Sequence, residues 1–458
     1  MRSRLAALTM ASALLAIACG STNPTSPPAS AAPGASAAAP SAAAPSAAPA
    51  SAAAGAVTLT LRYCWGGEGE VKAMEKVIQA WNQKHPEIQV KGVSGSIQTE
   101  EIAAAVAGGA PPDMVIMCDN SAVAGFAHDQ VIQPLDDLIK QTGADTSDII
   151  PASLKWSQYQ GKQYGLPFGQ DTWALYYNTD AFKEVGLDPT KPPTNPDELW
   201  DYAAKLTKWS ADGKTLERAG FIPDDPDRNL ESTSNLFNCQ WWDDATKKVT
   251  VNSPECVAWF NWYKKYYDTY NKNNALTDLI AKRTGGDAGL LNTGQQAMGI
   301  YGEWENGASY IPQAAPNLHY ATAPIPAVSP DKYGGAFING NAFMIPTGST
   351  NPEAAAKFGM YLMTDEPSIT MDIQNASVPQ LKSLLTNPTL TAIPNQKTFL
   401  DLVNNKSAWV TPMISEYSEL KDAMASALSA VTTGGADPQQ ALNDVASQIQ
   451  AKVDQNGP

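Results

Sequence analysis

The chain has 458 residues, with 46 acidic against 31 basic side chains and a formal net charge of −15. That balance makes nucleic acid and anionic membrane surfaces poor partners, but it does not say whether the acidity recognises a cation or only keeps the chain soluble. The three histidines, His85, His128 and His319, stand far apart with no second ligand at helical spacing. A metal centre and histidine-based catalysis therefore have no anchor, and no cofactor is expected.

At the start of the chain, Arg2 and Arg4 precede an uncharged apolar run from Leu5 to Ala18 that ends in small residues before Cys19. This is the layout of a bacterial lipoprotein signal over 1–18, with Cys19 as the lipidated residue. Ala16 stands where a lipobox usually has Leu, so an ordinary cleaved secretory signal is the alternative. The run is shorter than the roughly 20 apolar residues of a spanning helix. Residues 19–56 are almost wholly Ala, Pro, Ser and Gly without charge, too poor in large apolar groups to offset ordering entropy. They read as a tether. Either signal exports the protein, and lipidation holds it on the outer face of the cytoplasmic membrane.

About 400 residues follow, more than one core usually spans, which predicts two lobes. VTLTLRYCW (57–65) has strand composition, a helical pattern runs from about Val71 to Lys84, and IQVKGVSG is a second strand. A helix over Thr99 to Ala107 stops at Gly108 and Gly109, and PPDMVIMCDN supplies a third, apolar strand. Strands alternating with helices predict an α/β fold on a mainly parallel, covered sheet. Ligands of such sheets gather at the carboxyl ends of the strands, so Trp65, Glu68, Asp119 and Asn120 are expected on one rim. For Glu68 and Glu70 the competing role is to complement a helix dipole, and for Asp119 and Asn120 it is a turn or cap.

With Cys19 set aside, Cys64, Cys118, Cys239 and Cys256 remain in a compartment where disulfides persist, and three pairings are open. Cys239 and Cys256 bracket WWDDATKKVTVNSPE, which reads as a hairpin leading into a helix and makes a local bridge easy. Cys64 and Cys118 each end a strand and pair only if those strands are neighbours.

The ordered series AWNQKHPEIQV, AGGAPPDMVIM, QPLDDLI, GKQYGLPFGQDTWALYYNTDAF and KPPTNPDELWDYAAKLTK continues with GQQAMGIYGEW, YATAPIP and GSTNPEAAAKFGMYLM. In these segments the chain resembles the extracellular solute-binding proteins of ABC importers, in the group that includes maltose-binding protein. The resemblance runs from about Val57 nearly to the C-terminus. It implies a two-lobed periplasmic-binding-protein fold with the ligand cleft between lobes joined by hinge strands: 57–168 plus 323–344 in lobe 1, and 169–322 plus 345–458 in lobe 2. Crossings are expected at LPFGQD, near ATAPIP and near FMIPTG. It further implies a monomer that captures a carbohydrate and delivers it to membrane permease subunits, without enzymatic turnover.

Sugar hydroxyls need paired donors and acceptors, and sugar C–H faces prefer an aromatic plate, so acids and amides beside Trp are the constellation sought among twelve tryptophans. The resemblance places an acidic ligand-binding residue at Asp171, a stacking aromatic at Trp304, and cleft residues at Asp119 and Asn120. Trp173 stands beside the first crossing, and Glu303 precedes Trp304. Trp241, Asn339 and Asn341 in FINGNAF, and Tyr417 are further candidates, for which packing is the competing role. Trp81, Trp200, Trp259 and Trp262 sit in helical patterns and are expected to pack. Tyr176 and Tyr177 would suit iron-binding relatives, but LYYNTDAF belongs to the sugar-binding pattern. DDPDRN at 224–229 clusters oxygens without the Gly and terminal Glu of an EF-hand loop. Two further functions stay open: a non-sugar solute (polyamine, peptide or metal complex), and a secreted glycosidase using paired carboxylates.

Overall fold

The computed structural model describes residues 56–223, 229–403, 405 and 409–457. The signal, Cys19, the tether through Gly55, and Asp224–Arg228 of DDPDRN lie outside the described residues. Among the described residues there are fourteen strands: β1 (Val57–Tyr63), β2 (Ile88–Ser94), β3 (Met114–Met117), β4 (Gln158–Tyr159), β5 (Lys162–Gln163), β6 (Gly165–Asn178), β7 (Lys208–Trp209), β8 (Leu216–Phe221), β9 (Trp242–Asp243), β10 (Lys248–Val249), β11 (Gln296–Gly302), β12 (Tyr320–Ala323), β13 (Phe337–Met344) and β14 (Trp409–Val410). Ten of them form one sheet in the order β2-β1-β3-β13-β6-β11-β8-β7, with β12 added to β6 and β14 to β13. The remaining four make the hairpins β4–β5 and β9–β10.

The first lobe follows the predicted alternation. β1 runs parallel to β2 and β3, with Leu61 opposite Met114. Between them the helix Glu68–Lys84 turns Met74, Val77, Ile78 and Trp81 onto the sheet, at the spacing that lines one helical face. It begins three residues earlier than the pattern suggested, because the Glu70 carboxylate reaches back to accept the Gly67 N–H at 3.0 Å, the N3 half of a capping box.

β6 joins the lobes. Every residue from Gly165 to Tyr177 is buried. Over 165–172 it pairs with β13, and over 173–178 with β11 and β12. β13 returns antiparallel to β6 and β3, with its register slipping between Gly340 and Ala342. Gly169, at φ +88°, faces that slip, a backbone angle L side chains rarely adopt.

The cores divide the chain differently from the expected boundaries. Ala323 and Ile325 pack with Leu175, Phe182 and Met298 of the second lobe, so the return near ATAPIP does not cross there; the crossing is made by β13. Ile345 packs with Leu59 and Leu61 of the first lobe, as do Ala355 and Phe358 from the helix Pro352–Leu362, so no crossing occurs at FMIPTG. Residues 345–371 thus pack with the first lobe, as do Leu381, Leu384 and Leu390, while Val378 joins the core of Tyr176 and Phe399. These apolar faces need the uncovered side of β1. The third passage falls between Leu390, in the first core, and Phe399, which packs against Tyr176 and Tyr301. Helices Tyr417–Thr432 and Pro438–Asn456 then close on the second-lobe helix Pro254–Tyr270.

Both disulfides form: Cys64 with Cys118, made possible because β1 and β3 are adjacent, and Cys239 with Cys256 across the β9–β10 hairpin. Trp81 and Trp259 are core residues, and Trp200 and Trp262 pack against the second-lobe core from its surface. Tyr176 and Tyr177 are buried in β6, with hydroxyls donating to the carbonyls of Gly302 and Pro189, and serve as structural strand residues.

Candidate functional site

A cavity of about 230 Å³ lies where the lobes meet over the crossing strands. The first lobe contributes Trp65, from the end of β1, together with Glu70 and Cys118. The crossing strands contribute Asp171, Trp173 and Asn341. The second lobe supplies Asp287, Glu303, Trp304 and Tyr310, and Asn375 and Ser377 close the remaining side.

The aromatic walls are held by one another. Trp173 stacks on Phe337 at 5.3 Å between centroids and meets Trp304 edge-on at 5.7 Å. Trp65 meets Phe168 edge-on at 6.0 Å. Trp304 sits in a short turn directly after β11, and a Cβ on Gly302 would come within 2.0 Å of its ring, so glycine is what lets the indole lie back over the strand end. The Cys64–Cys118 bridge joins the segment bearing Trp65 to the cavity wall at Cys118.

The acids are buried. Glu303 is fully buried, with Oε2 accepting the Thr172 N–H at 2.9 Å and Oε1 without a hydrogen-bond partner. Burial pushes its carboxyl well above the usual carboxylate range, and the neighbouring Asp171 charge pushes it further. Both causes favour the protonated form of the pair. Asp171 is 6% exposed and opposite Asn339 in the ladder.

Hydrogen bonds link the two lobes beside the cavity. Tyr310 of the second lobe donates its hydroxyl to Glu70 Oε1 of the first at 2.8 Å, and Gln374 Nε2 donates to Ser309 Oγ at 2.9 Å. Burial, then the Glu70 charge, raises the Tyr310 phenol and keeps it a donor. Tyr310→Phe is expected to weaken ligand binding about ten-fold, because a hydrogen bond to a carboxylate that favours the closed form is lost; calorimetric titration reads the change. An unchanged affinity would show that this contact does not bias closure.

Not every expected residue reaches the cavity. Glu68, on the outer side of the same first turn as Glu70, has a side chain 84% exposed and pairs with Lys72; it is a surface residue, and Glu70 takes its place. Asn120 is a buried strut, donating to the Trp156 carbonyl at 2.7 Å and accepting from Thr411 Oγ1. Asp119, one residue beyond Cys118, faces Lys421 of the second lobe at 3.5 Å, and Lys421 also pairs with buried Glu231 at 3.2 Å. Tyr417 donates to that same Glu231 and packs beside Trp241 in the core of the C-terminal helices. Trp241 borders a different groove, of about 890 Å³, with Trp242 and Trp409. Asn339 is buried beside Asp171 but does not line the cavity.

The sequence pointed to neither Tyr310, Asp287, Asn375 nor Ser377. Tyr310 stands six residues after Trp304 and could have been sought there. Asn375 and Ser377 flank Ala376, whose φ of +53° ends a helix, and such a turn leaves no composition signal. Among the described residues no group of three or more His, Cys, Asp or Glu is placed to hold a metal, and no helix is long and apolar enough to cross a membrane.

Comparison with known proteins agrees with this architecture. Residues 65–368 match the family model of the bacterial extracellular solute-binding proteins, and the chain belongs to that family. It is an extracellular or periplasmic solute-binding protein of the ABC-transporter type, in a family that binds rather than transforms its solutes, which sets the glycosidase reading aside. An uncharacterised ABC transporter extracellular-binding protein of Pyrococcus horikoshii is 23% identical over 414 residues, covering 87% of this chain and 85% of its own length. The sn-glycerol-3-phosphate-binding periplasmic protein UgpB of Shigella dysenteriae is 34% identical over 162 residues, but the match spans only 33% of this chain and 36% of that protein. Among solved structures, CpMnBP1 with mannotriose bound superposes with a TM-score of 0.75 at 28% identity, covering 85% of this chain and 99% of that one.

Proposed function

We propose that this protein captures a carbohydrate between its lobes and presents the closed, loaded form to membrane permease subunits, itself held at the outer face of the cytoplasmic membrane by lipid on Cys19. The observation that carries the reading is the meeting of Trp65, Trp173 and Trp304 with Asp171 and Glu303 around one cavity. Indole faces suit the C–H face of a sugar ring, and buried carboxyls suit its hydroxyls. At about 230 Å³ the cavity lies below the 300–1,000 Å³ common for drug-sized ligands, which favours one sugar ring enclosed at a time. No Lys, Arg or His occurs among the described residues lining it, so a phosphate would lack a counter-charge and glycerol phosphate is a poor candidate. Closure is driven by ligand only to the extent that the closed form binds it more tightly.

The test is the thermal stability of the protein against mono- and oligosaccharides, glycerol 3-phosphate, polyamines and peptides. Ligand at about 100 times its dissociation constant adds roughly 2.7 kcal/mol. A rise confined to one sugar class, and lost in Trp304→Ala, is the expected result. A rise only with phosphate or peptide would overturn the carbohydrate reading.

A further inference from the structure

The polar groups left over in the cavity are of one kind. Glu303 is fully buried and its Oε1 has no hydrogen-bond partner; Asn375 is 5% exposed and its Oδ1 also has none. Asn375 Oδ1 is an acceptor and Glu303 Oε1 becomes one when the carboxyl ionises, and both border the cavity. Asp171 adds a second carboxyl against Glu303, Glu70 and Asp287 bring two more to the wall, and the described lining holds no basic residue. A sugar hydroxyl brings one donor and two acceptor lone pairs to such a site, whereas an ammonium brings three donors, no acceptor and a positive charge. Buried acceptors without donors are costly, and a site that carries them is complementary to a donor-rich ligand.

We propose that the Asp171–Glu303 pair is an ammonium-binding subsite, so that the solute is an amine-bearing sugar. This rests on the carbohydrate reading for the ring and on the carboxyl pair for the amine. Without ligand, burial beside Asp171 favours the protonated form of Glu303. An incoming ammonium stabilises both carboxylates and expels that proton to solvent, while Glu70, Asp287 and the Tyr310 hydroxyl face the same space and add no positive charge. A neutral sugar gives no reason for the proton to leave.

The experiment is calorimetric titration of the protein at about pH 6, where a sugar amine is protonated, with matched pairs: glucose and glucosamine, mannose and mannosamine, galactose and galactosamine. N-acetylglucosamine and spermidine complete the set, and each is run in two buffers of different ionisation heat to count protons. The expected result is at least ten-fold tighter binding of one amino sugar than of its neutral and N-acetylated counterparts, with proton release. In Glu303→Gln that preference falls to within about three-fold. Asp171→Asn is the second variant should the first not fold, as judged by its melting curve. Neutral and amino sugars binding alike would overturn the subsite and leave the carbohydrate reading standing. Spermidine binding with no sugar would support the subsite and overturn the carbohydrate reading, and silence from every amine overturns the subsite.

Discussion

Asp171→Asn is expected to weaken solute binding by about 10- to 150-fold, because a buried hydrogen bond to a charged group contributes roughly 1.5–3 kcal/mol and this carboxyl stands on the cavity floor. Calorimetric titration with the best solute of the wild type measures it, and an affinity within two-fold of wild type would remove Asp171 from the site. The unliganded protein responds in the opposite sense. Asp171 is the second cause, after burial, of the raised Glu303 pKa, so removing its charge relieves a repulsion. Glu303 has a folded pKa above its unfolded value of about 4.3. Its stabilising contribution is therefore fully present below that unfolded value and is lost as pH rises through the folded one. Melting curves of the unliganded protein between about pH 4 and 8 should fall more steeply for wild type than for Glu303→Gln. Parallel curves would mean that Glu303 does not hold its proton.

Removing each disulfide is expected to cost stability, somewhat more for the longer loop. The bridges span 54 and 17 residues, which in the chain-entropy model correspond to about 4 and about 3 kcal/mol. With an unfolding entropy of about 2.1 cal/mol/K per residue over some 400 residues, the midpoints fall by about 5 °C and about 4 °C. The variants Cys64→Ala with Cys118→Ala, and Cys239→Ala with Cys256→Ala, separate a second effect. Only the first pair frees Trp65 and the wall at Cys118, so only it should also weaken solute binding. Equal loss of affinity in both would mean that the first bridge has no particular hold on the cavity.

The parts of the molecule that could be read from the chain were those governed by short-range periodicity. The helix Thr99–Ala107 and the strands around Leu61, Val90 and Ile116 stand where the apolar spacing placed them, because each had apolar residues to bury and Gly, Pro or Asp/Asn to bound it. Asp171, Trp173 and Trp304 were legible because they occupy ordered positions in long matching segments. Glu68 and Glu70 were not ranked correctly: both begin the same helix, and only the capping contact with Gly67 decides which turns inward. Asn120 and Tyr417 have a site-like composition yet meet partners 36 and 186 residues away in the sequence, Trp156 and Glu231, that no local pattern could supply. The lobe boundaries differ for the same reason, since the helix Pro352–Leu362 packs on β1 and the helix Asp365–Asn375 on the helix Glu68–Lys84, both from the opposite end of the chain.

The crossing strands are also the floor of the cavity. Asn341 sits at the register slip of β13, Gly169 faces it from β6, and Asp171 and Trp173 follow within four residues. Any rotation of one lobe against the other must twist these strands, so the pivot and the solute occupy nearly the same point. Motion about a pivot grows in proportion to radius. Shifts too small to notice beside the solute would become larger with distance from these strands. Were the lobes to rotate, a small change beside the solute would thus be read out as a larger one at the distant surfaces of either lobe.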